Sequence, residues 1–135
     1  MKKSILLAAL AFLVFAGCKN SAKQELNQDH LIYATIWFQS SPESKALYYQ
    51  GYNIAMMRLE QFASVKSQKP KAVVVDIDET MLDNSPFQAQ EIKENKEFSS
   101  EFWNAWSALG SAKALPGAAE FSRLCDSLGV TLFYV

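Results

Sequence analysis

The run Lys71-Ala-Val-Val-Val-Asp-Ile-Asp-Glu-Thr-Met-Leu-Asp-Asn84 constrains this chain more than any other stretch. Ala72 to Val75 are uninterrupted apolar residues, the composition of a strand buried inside a sheet. Asp76 and Asp78 stand at its carboxyl end. In open α/β sheets, active sites form outside the carboxyl ends of the strands. Two acids separated by one residue, on the turn that leaves such a strand, can divide the work of phosphoryl transfer. One carboxylate attacks and is esterified, while its neighbour moves protons.

The N-terminus reads as a targeting segment. Lys2 and Lys3 are followed by an apolar stretch from Ile5 to Phe15, the length of a signal-peptide core. A membrane-spanning helix needs about 20 residues. Phe15-Ala16-Gly17-Cys18 resembles a bacterial lipobox, with Phe15 where Leu is usual. Cleavage before Cys18 and lipidation of its thiol are expected, with an outer-membrane location because Lys19 stands where a retention Asp would be. The expected organisation is a signal peptide over 1–17, a lipid-anchored polar tether over 18–28 and an α/β domain over 29–135. The net charge of -1 gives no electrostatic attraction to nucleic acid or anionic lipid.

Within the domain, Leu31 to Phe38 reads as a helix. Ser41-Pro42-Glu43 has the order of a helix start: cap, Pro at the first position, acid in the first turn. Tyr48, Tyr52, Ala55, Leu59 and Phe62 then fall on one stripe of a helix running to about Val65. After the acidic run, Ser85-Pro86 is expected to break the backbone ahead of a short polar segment, Phe87 to Lys96, with helical character. Ser99 or Ser100 caps a helix whose apolar face carries Phe102, Trp103, Trp106 and Leu109. Leu115-Pro116-Gly117 turns the chain. A helix follows to Leu128, closed by Gly129, and Val130 to Val135 forms a second strand.

Strand, helices, strand implies a parallel pair joined by a crossover. The fold expected is a Rossmann-like α/β parallel sheet with N-terminal helices. Two parallel strands cannot be covered on both faces and paired on both edges. The expectation is therefore of a longer protein of which this chain is the N-terminal part. Cys125 lies in an apolar helical stretch and reads as a buried thiol. His30 reads as a surface or capping residue.

Asp76-Ile-Asp-Glu-Thr-Met-Leu-Asp-Asn-Ser-Pro-Phe87 resembles the first motif of haloacid dehalogenase-type phosphatases. Its extended form is similar to the class C (DDDD-type) acid phosphatases, the lipoprotein e family of 5′-nucleotidases. Trp37-Phe-Gln-Ser-Ser-Pro-Glu43, Tyr49-Gln-Gly-Tyr-Asn-Ile-Ala55, the pair Trp103 and Trp106, and Leu115-Pro-Gly-Ala-Ala-Glu-Phe121 extend the resemblance over the chain that follows the leader. The resemblance implies a magnesium-dependent phosphomonoesterase acting on nucleoside monophosphates and other small phosphate esters. Asp76 would be the nucleophile and Asp78 the general acid and base. The Asp76 carboxylate and the Asp78 carbonyl would hold Mg2+, and Thr80 would brace the loop. The family's Ser/Thr motif, its phosphate-holding basic residue and two later aspartates are expected beyond Val135, so these residues alone are expected to be inactive.

Asp76 and Asp78 could also be helix caps or a solvated turn. Glu79 and Asp83 close by would then make a cluster of four negative groups, which is unfavourable unless a cation offsets it. Trp103 and Trp106 have two readings, core residues of an amphipathic helix or a platform on which a nucleobase stacks. A second functional class is a surface lipoprotein that binds without catalysis on a degenerate phosphatase fold.

Overall fold

The computed structural model describes residues 27–135. The leader, the lipobox cysteine Cys18 and most of the tether lie outside the described residues. Gln28, the tether's last residue, is buried and donates from Nε2 to the Lys96 carbonyl at 3.3 Å.

A 3-10 turn at Asp29–Leu31 leads into α1 (Ile32–Ser40), and α2 (Pro42–Ser64) follows. Ser41 separates the two helices because its extended backbone stops α1. Its hydroxyl accepts from the Ser44 N–H at 2.9 Å and so starts α2. At the far end of α2, Lys71 donates to the carbonyls of Ala63 and Val65 and lies over the Phe62 ring. A cation on the last carbonyls of a helix satisfies orphan acceptors and complements the dipole. The same lysine precedes β1 (Ala72–Val75), so it ties the end of the long helix to the start of the strand.

The remaining elements are β2 (Leu82–Asp83), α3 (Ser85–Glu94), α4 (Ser100–Ala108), β3 (Lys113–Ala114), α5 (Ala118–Ser127) and β4 (Thr131–Tyr134). β1 and β4 pair in parallel, from Ala72 opposite Thr131 to Val75 opposite Tyr134, as the sequence implies. α5 closes in a Schellman motif. Val130 N–H bonds the Cys125 carbonyl, Gly129 N–H bonds that of Asp126, and Gly129 takes φ +63°. That geometry turns the chain directly into β4.

Two features differ from the sequence reading. Ser85-Pro86 starts a helix instead of breaking the backbone. Pro86 occupies the first turn of α3, where no intrahelical N–H is needed. Asp83 accepts the Ser85 N–H at 2.9 Å and the Ser85 hydroxyl at 2.5 Å. A short antiparallel ladder also joins β2 to β3, Leu82 opposite Ala114 and Asp83 opposite Lys113. It links segments far apart in sequence and neither strand carries a periodic signal.

The buried core gathers Tyr52 and Leu59 of α2, Met81, Leu115, and Ala118, Phe121 and Cys125 of α5, with Val130. Gly117 is what lets α2 and α5 meet. It takes φ +90°, and a Cβ there would lie 2.6 Å from the Tyr52 Cβ. A second cluster forms around Phe87 of α3, whose ring meets Phe98, Phe102, Trp103 and Trp106. Among the described residues no helix is long and apolar enough to cross a membrane.

Candidate active site

The parallel ladder delivers the acidic turn. Pairing continues past β1: Val135 donates to the Val75 carbonyl at 3.0 Å, and Ile77 donates to the Val135 carbonyl at 3.2 Å. Ile77 is thus still strand-bound. Alternation puts Asp76 and Asp78 together on the opposite side of the backbone, and both are exposed. The chain then reverses. The Ile77 carbonyl accepts from the N–H groups of Met81 and Leu82, each at 2.9 Å, and Glu79 N–H bonds the Leu82 carbonyl at 3.0 Å.

Glu79 pivots this reversal with φ +53°. For a residue with a Cβ the left-handed region costs about 1–2 kcal/mol, so the surroundings must enforce it. Two hydroxyls from α2 do so. Tyr48 donates to the Glu79 carbonyl at 2.6 Å and Tyr52 to the Thr80 carbonyl at 2.5 Å. Four residues apart on a helix, the two rings lie on one face. Burial raises both phenol pKa values; the Glu79 and Asp83 carboxylates add to the effect at Tyr48, and Tyr48 adds to it at Tyr52. Both phenols therefore remain protonated donors at neutral pH.

Each acidic side chain has its own partner. Asp76 Oδ2 accepts from the Thr80 hydroxyl at 2.7 Å, a bond that closes across the turn. Asp78 Oδ1 accepts from Asn84 Nδ2 at 2.8 Å. Asp83 turns away to the start of α3. Glu79 faces Gln88 of α3 at 3.4 Å. Burial pushes the Glu79 carboxyl above its usual range. The Gln88 side chain and the Asn84 backbone oppose that shift, and Asp78 and Asp83 reinforce it. Each of the four acids thus has a neutral hydrogen-bond donor, while the charges of Asp78 and Asp83 still act on Glu79.

Among the described residues no group of three or more His, Cys, Asp or Glu side chains is arranged to hold a metal ion. The donors at the turn are the Asp76 and Asp78 carboxylates, and the Asp78 carbonyl, which accepts no hydrogen bond among the described residues. These are hard oxygen donors, few in number. Mg2+ is commonly held by one or two carboxylates plus waters and substrate phosphate, so the donor chemistry fits that ion.

Trp103 meets Phe87 edge-on, with centroids 5.1 Å apart. Trp106 lies 6.2 Å from the same ring and donates its indole N–H to Asn84 Oδ1 at 3.2 Å. Both indoles are half-buried. An apolar groove of about 640 Å³ runs along the other flank of the turn, lined by Trp37, Phe38, Tyr48, Val74 and Thr80 among others. Neither Asp76 nor Asp78 lines it, and it offers a phosphate few donors. It is an uncovered flank of β1 and not the chemical site.

Asn84, Tyr48 and Tyr52 hold the turn through hydrogen bonds that the sequence reading missed. The tyrosines fall on a stripe that reads as core, but a hydroxyl on such a stripe needs a partner, and that was the available signal. Asn84 stands inside the acidic motif with no role of its own legible in the sequence; only the fold reveals its burial.

The family described as HAD superfamily, subfamily IIIB (acid phosphatase) matches residues 13–135. The chain is similar to the class C acid phosphatase from Bacillus anthracis, in a structure with tungstate bound and in a second structure. Each gives a TM-score of 0.74 at 40% identity, covering 78% of this chain. This chain spans 44% of the length of each of those solved chains.

Proposed function

Because the chain belongs to the HAD superfamily, subfamily IIIB (acid phosphatase), we propose that its protein hydrolyses small phosphate monoesters through an aspartyl-phosphate. The observation that carries this reading is the pair of carboxylates at the carboxyl end of β1, Asp76 on Thr80 and Asp78 on Asn84. Asp76 Oδ1, which accepts no hydrogen bond among the described residues, attacks phosphorus. As the bond from phosphorus to the leaving oxygen breaks, Asp78 gives that oxygen its proton. The Asp78 carboxylate then takes a proton from water, whose oxygen attacks phosphorus. The bond to Asp76 breaks, releasing phosphate and restoring both acids. Mg2+ held by the Asp76 carboxylate and the Asp78 carbonyl supplies, when bound, neutralisation of phosphate charge.

The tungstate of the Bacillus anthracis relative, a tetrahedral oxyanion like phosphate, supports the substrate class. Nucleoside monophosphates are the proposed preferred esters, with Trp103 stacking on the base, since the Trp106 indole is engaged by Asn84. The partial exposure of the Trp103 indole supports this.

Asp76→Asn in the natural full-length protein tests the nucleophile. An amide neither attacks phosphorus nor carries the charge a metal needs, so turnover of a nucleoside monophosphate should fall by at least about 10⁴-fold. A rate close to that of the unaltered protein refutes the assignment.

The proposed place of action is the cell envelope, with the protein anchored through lipid on Cys18. One acyl chain binds a membrane marginally, so stable attachment requires the full lipoprotein modification. Expressed with its leader, the protein should enter the detergent phase, and Cys18→Ala should move it to the aqueous phase. Equal partitioning of the two forms would sink the anchor.

A further inference from the structure

We infer that Asn84 is a positioning residue for the general acid, and that Trp106 sets the direction in which Asn84 acts. The inference rests on the phosphatase reading above and adds a specific division of labour to it.

Asn84 is 3% exposed, and both ends of its amide are engaged. Nδ2 donates to Asp78 Oδ1 at 2.8 Å, and Oδ1 accepts from the Trp106 indole at 3.2 Å. An asparagine amide can in general face either way, because its oxygen and nitrogen have the same shape. Here one partner removes the choice. An indole N–H only donates, so the end facing Trp106 must be the oxygen. The end facing Asp78 is then the NH₂. Trp106 thus forces Asn84 to offer a donor to Asp78.

The consequence at Asp78 is an asymmetric carboxyl group. Oδ1 is occupied and its rotation fixed, while Oδ2 accepts no hydrogen bond among the described residues and is left to meet the leaving oxygen. Asp78 itself is exposed and sits on a turn. Without this tether its carboxyl group would rotate freely, and a displacement of about 1 Å at a reacting group can lower a rate by about 10²-fold. The aromatic cluster around Phe87 fixes the indole, so helix packing is converted into the aim of one oxygen atom.

A positioning role for the general acid has a signature that a merely structural role lacks. Proton donation matters most when the leaving group is a poor one, such as an alkoxide, and least when it is a stabilised aryloxide. The test is kcat/KM, which reports the steps through departure of the leaving group, across alkyl and aryl phosphates in the natural full-length protein. Trp106→Phe keeps an aromatic ring in the cluster and removes the N–H. It should lower kcat/KM by about 10-fold for alkyl phosphates and by less than about 2-fold for a nitrophenyl phosphate. Asn84→Ala should show the same trend with a larger loss, about 100-fold for alkyl phosphates. If Asn84→Ala does not fold, Trp106→Phe alone decides. A uniform loss across the series, or none, overturns the inference.

A second readout is independent of turnover. The indole N–H resonance of Trp106, assigned by its disappearance in Trp106→Phe, should shift in Asp78→Asn, because the bond chain runs through Asn84. An unmoved resonance overturns the inference. If the unaltered protein hydrolyses no phosphate ester, the phosphatase reading fails, and this resonance still decides whether the chain of bonds exists.

Discussion

The turn from Asp76 to Asn84 and the core beneath it touch each other, yet they are held by different forces. The core is a contact of apolar side chains: Leu59, Phe121, Cys125 and Val130 exclude water, and no single atom's direction matters much. The turn is mostly polar and partly exposed. It is fixed by individual hydrogen bonds that arrive from α2, from α4 and from the end of β4. Burial scales with area, whereas a hydrogen bond depends on angle and distance. Stability should therefore reside mainly in the first region and catalytic geometry in the second. They join at Tyr52, whose ring packs 5.7 Å from Phe121 while its hydroxyl holds the Thr80 carbonyl.

The largest stability effect should come from the core. Phe121→Ala removes a 5% exposed ring from the centre of the cluster. Substitutions of this kind cost about 3–5 kcal/mol. The urea midpoint should drop sharply, while the rate per folded molecule stays close to that of the unaltered protein. A fall in rate among molecules shown to be folded would mean that core packing also sets the turn, and the contrast between the regions would fail.

Tyr52→Phe should give the converse. It keeps the ring and deletes one hydroxyl, so the stability loss should be about 1 kcal/mol, that of one net hydrogen bond. The Thr80 carbonyl loses its clamp, and with it the enforcement of the left-handed Glu79 next door. Thr80 also holds Asp76, so the rate should drop more than the small stability loss accounts for. Steady-state kinetics alongside urea unfolding of the same preparation separates the two. A change in stability with the rate intact would assign Tyr52 to the core alone.

This division explains what could be read from the chain. Patterns that repeat along the sequence were legible: the apolar strand Ala72–Val75, the Ser41 cap, the stripe through Tyr52 and Leu59, and the glycine after α5. The acids at the end of β1 were legible because a strand's carboxyl end is known in advance to face a site. The β2–β3 ladder was not, since its strands are too short for any period and pair across a long separation. Asn84 and the two tyrosine hydroxyls were hidden for a related reason. Each acts on a residue distant in sequence, and a hydrogen bond of that kind leaves no local pattern. The expectation that Glu79 and Asp83 crowd the acidic pair holds at Glu79, whose carboxyl pKa Asp78 and Asp83 push up, even though Gln88 and Ser85 offer Glu79 and Asp83 a neutral partner each.

The smallest effect should come from Glu79, where the turn is held against an electrostatic cost. Burial first, and then Asp78 and Asp83, raise its carboxyl pKa in the folded protein. An acid whose folded pKa is raised favours the fold in its neutral form. That contribution is full below the unfolded pKa and is lost as pH rises through the folded one. Glu79→Gln has the same shape, can still accept from Gln88, and has no charge to lose. In metal-free buffer it should be the more stable form at neutral pH, by a few tenths of a kcal/mol given the partial exposure of the group. The difference should vanish as pH falls through the carboxylate range, because the native residue then becomes neutral too. Thermal unfolding of both proteins across that range measures it. If the native residue is instead the more stable at neutral pH, the ionised carboxylate is being used by the turn, and the mutual repulsion inferred among Asp78, Glu79 and Asp83 is absent.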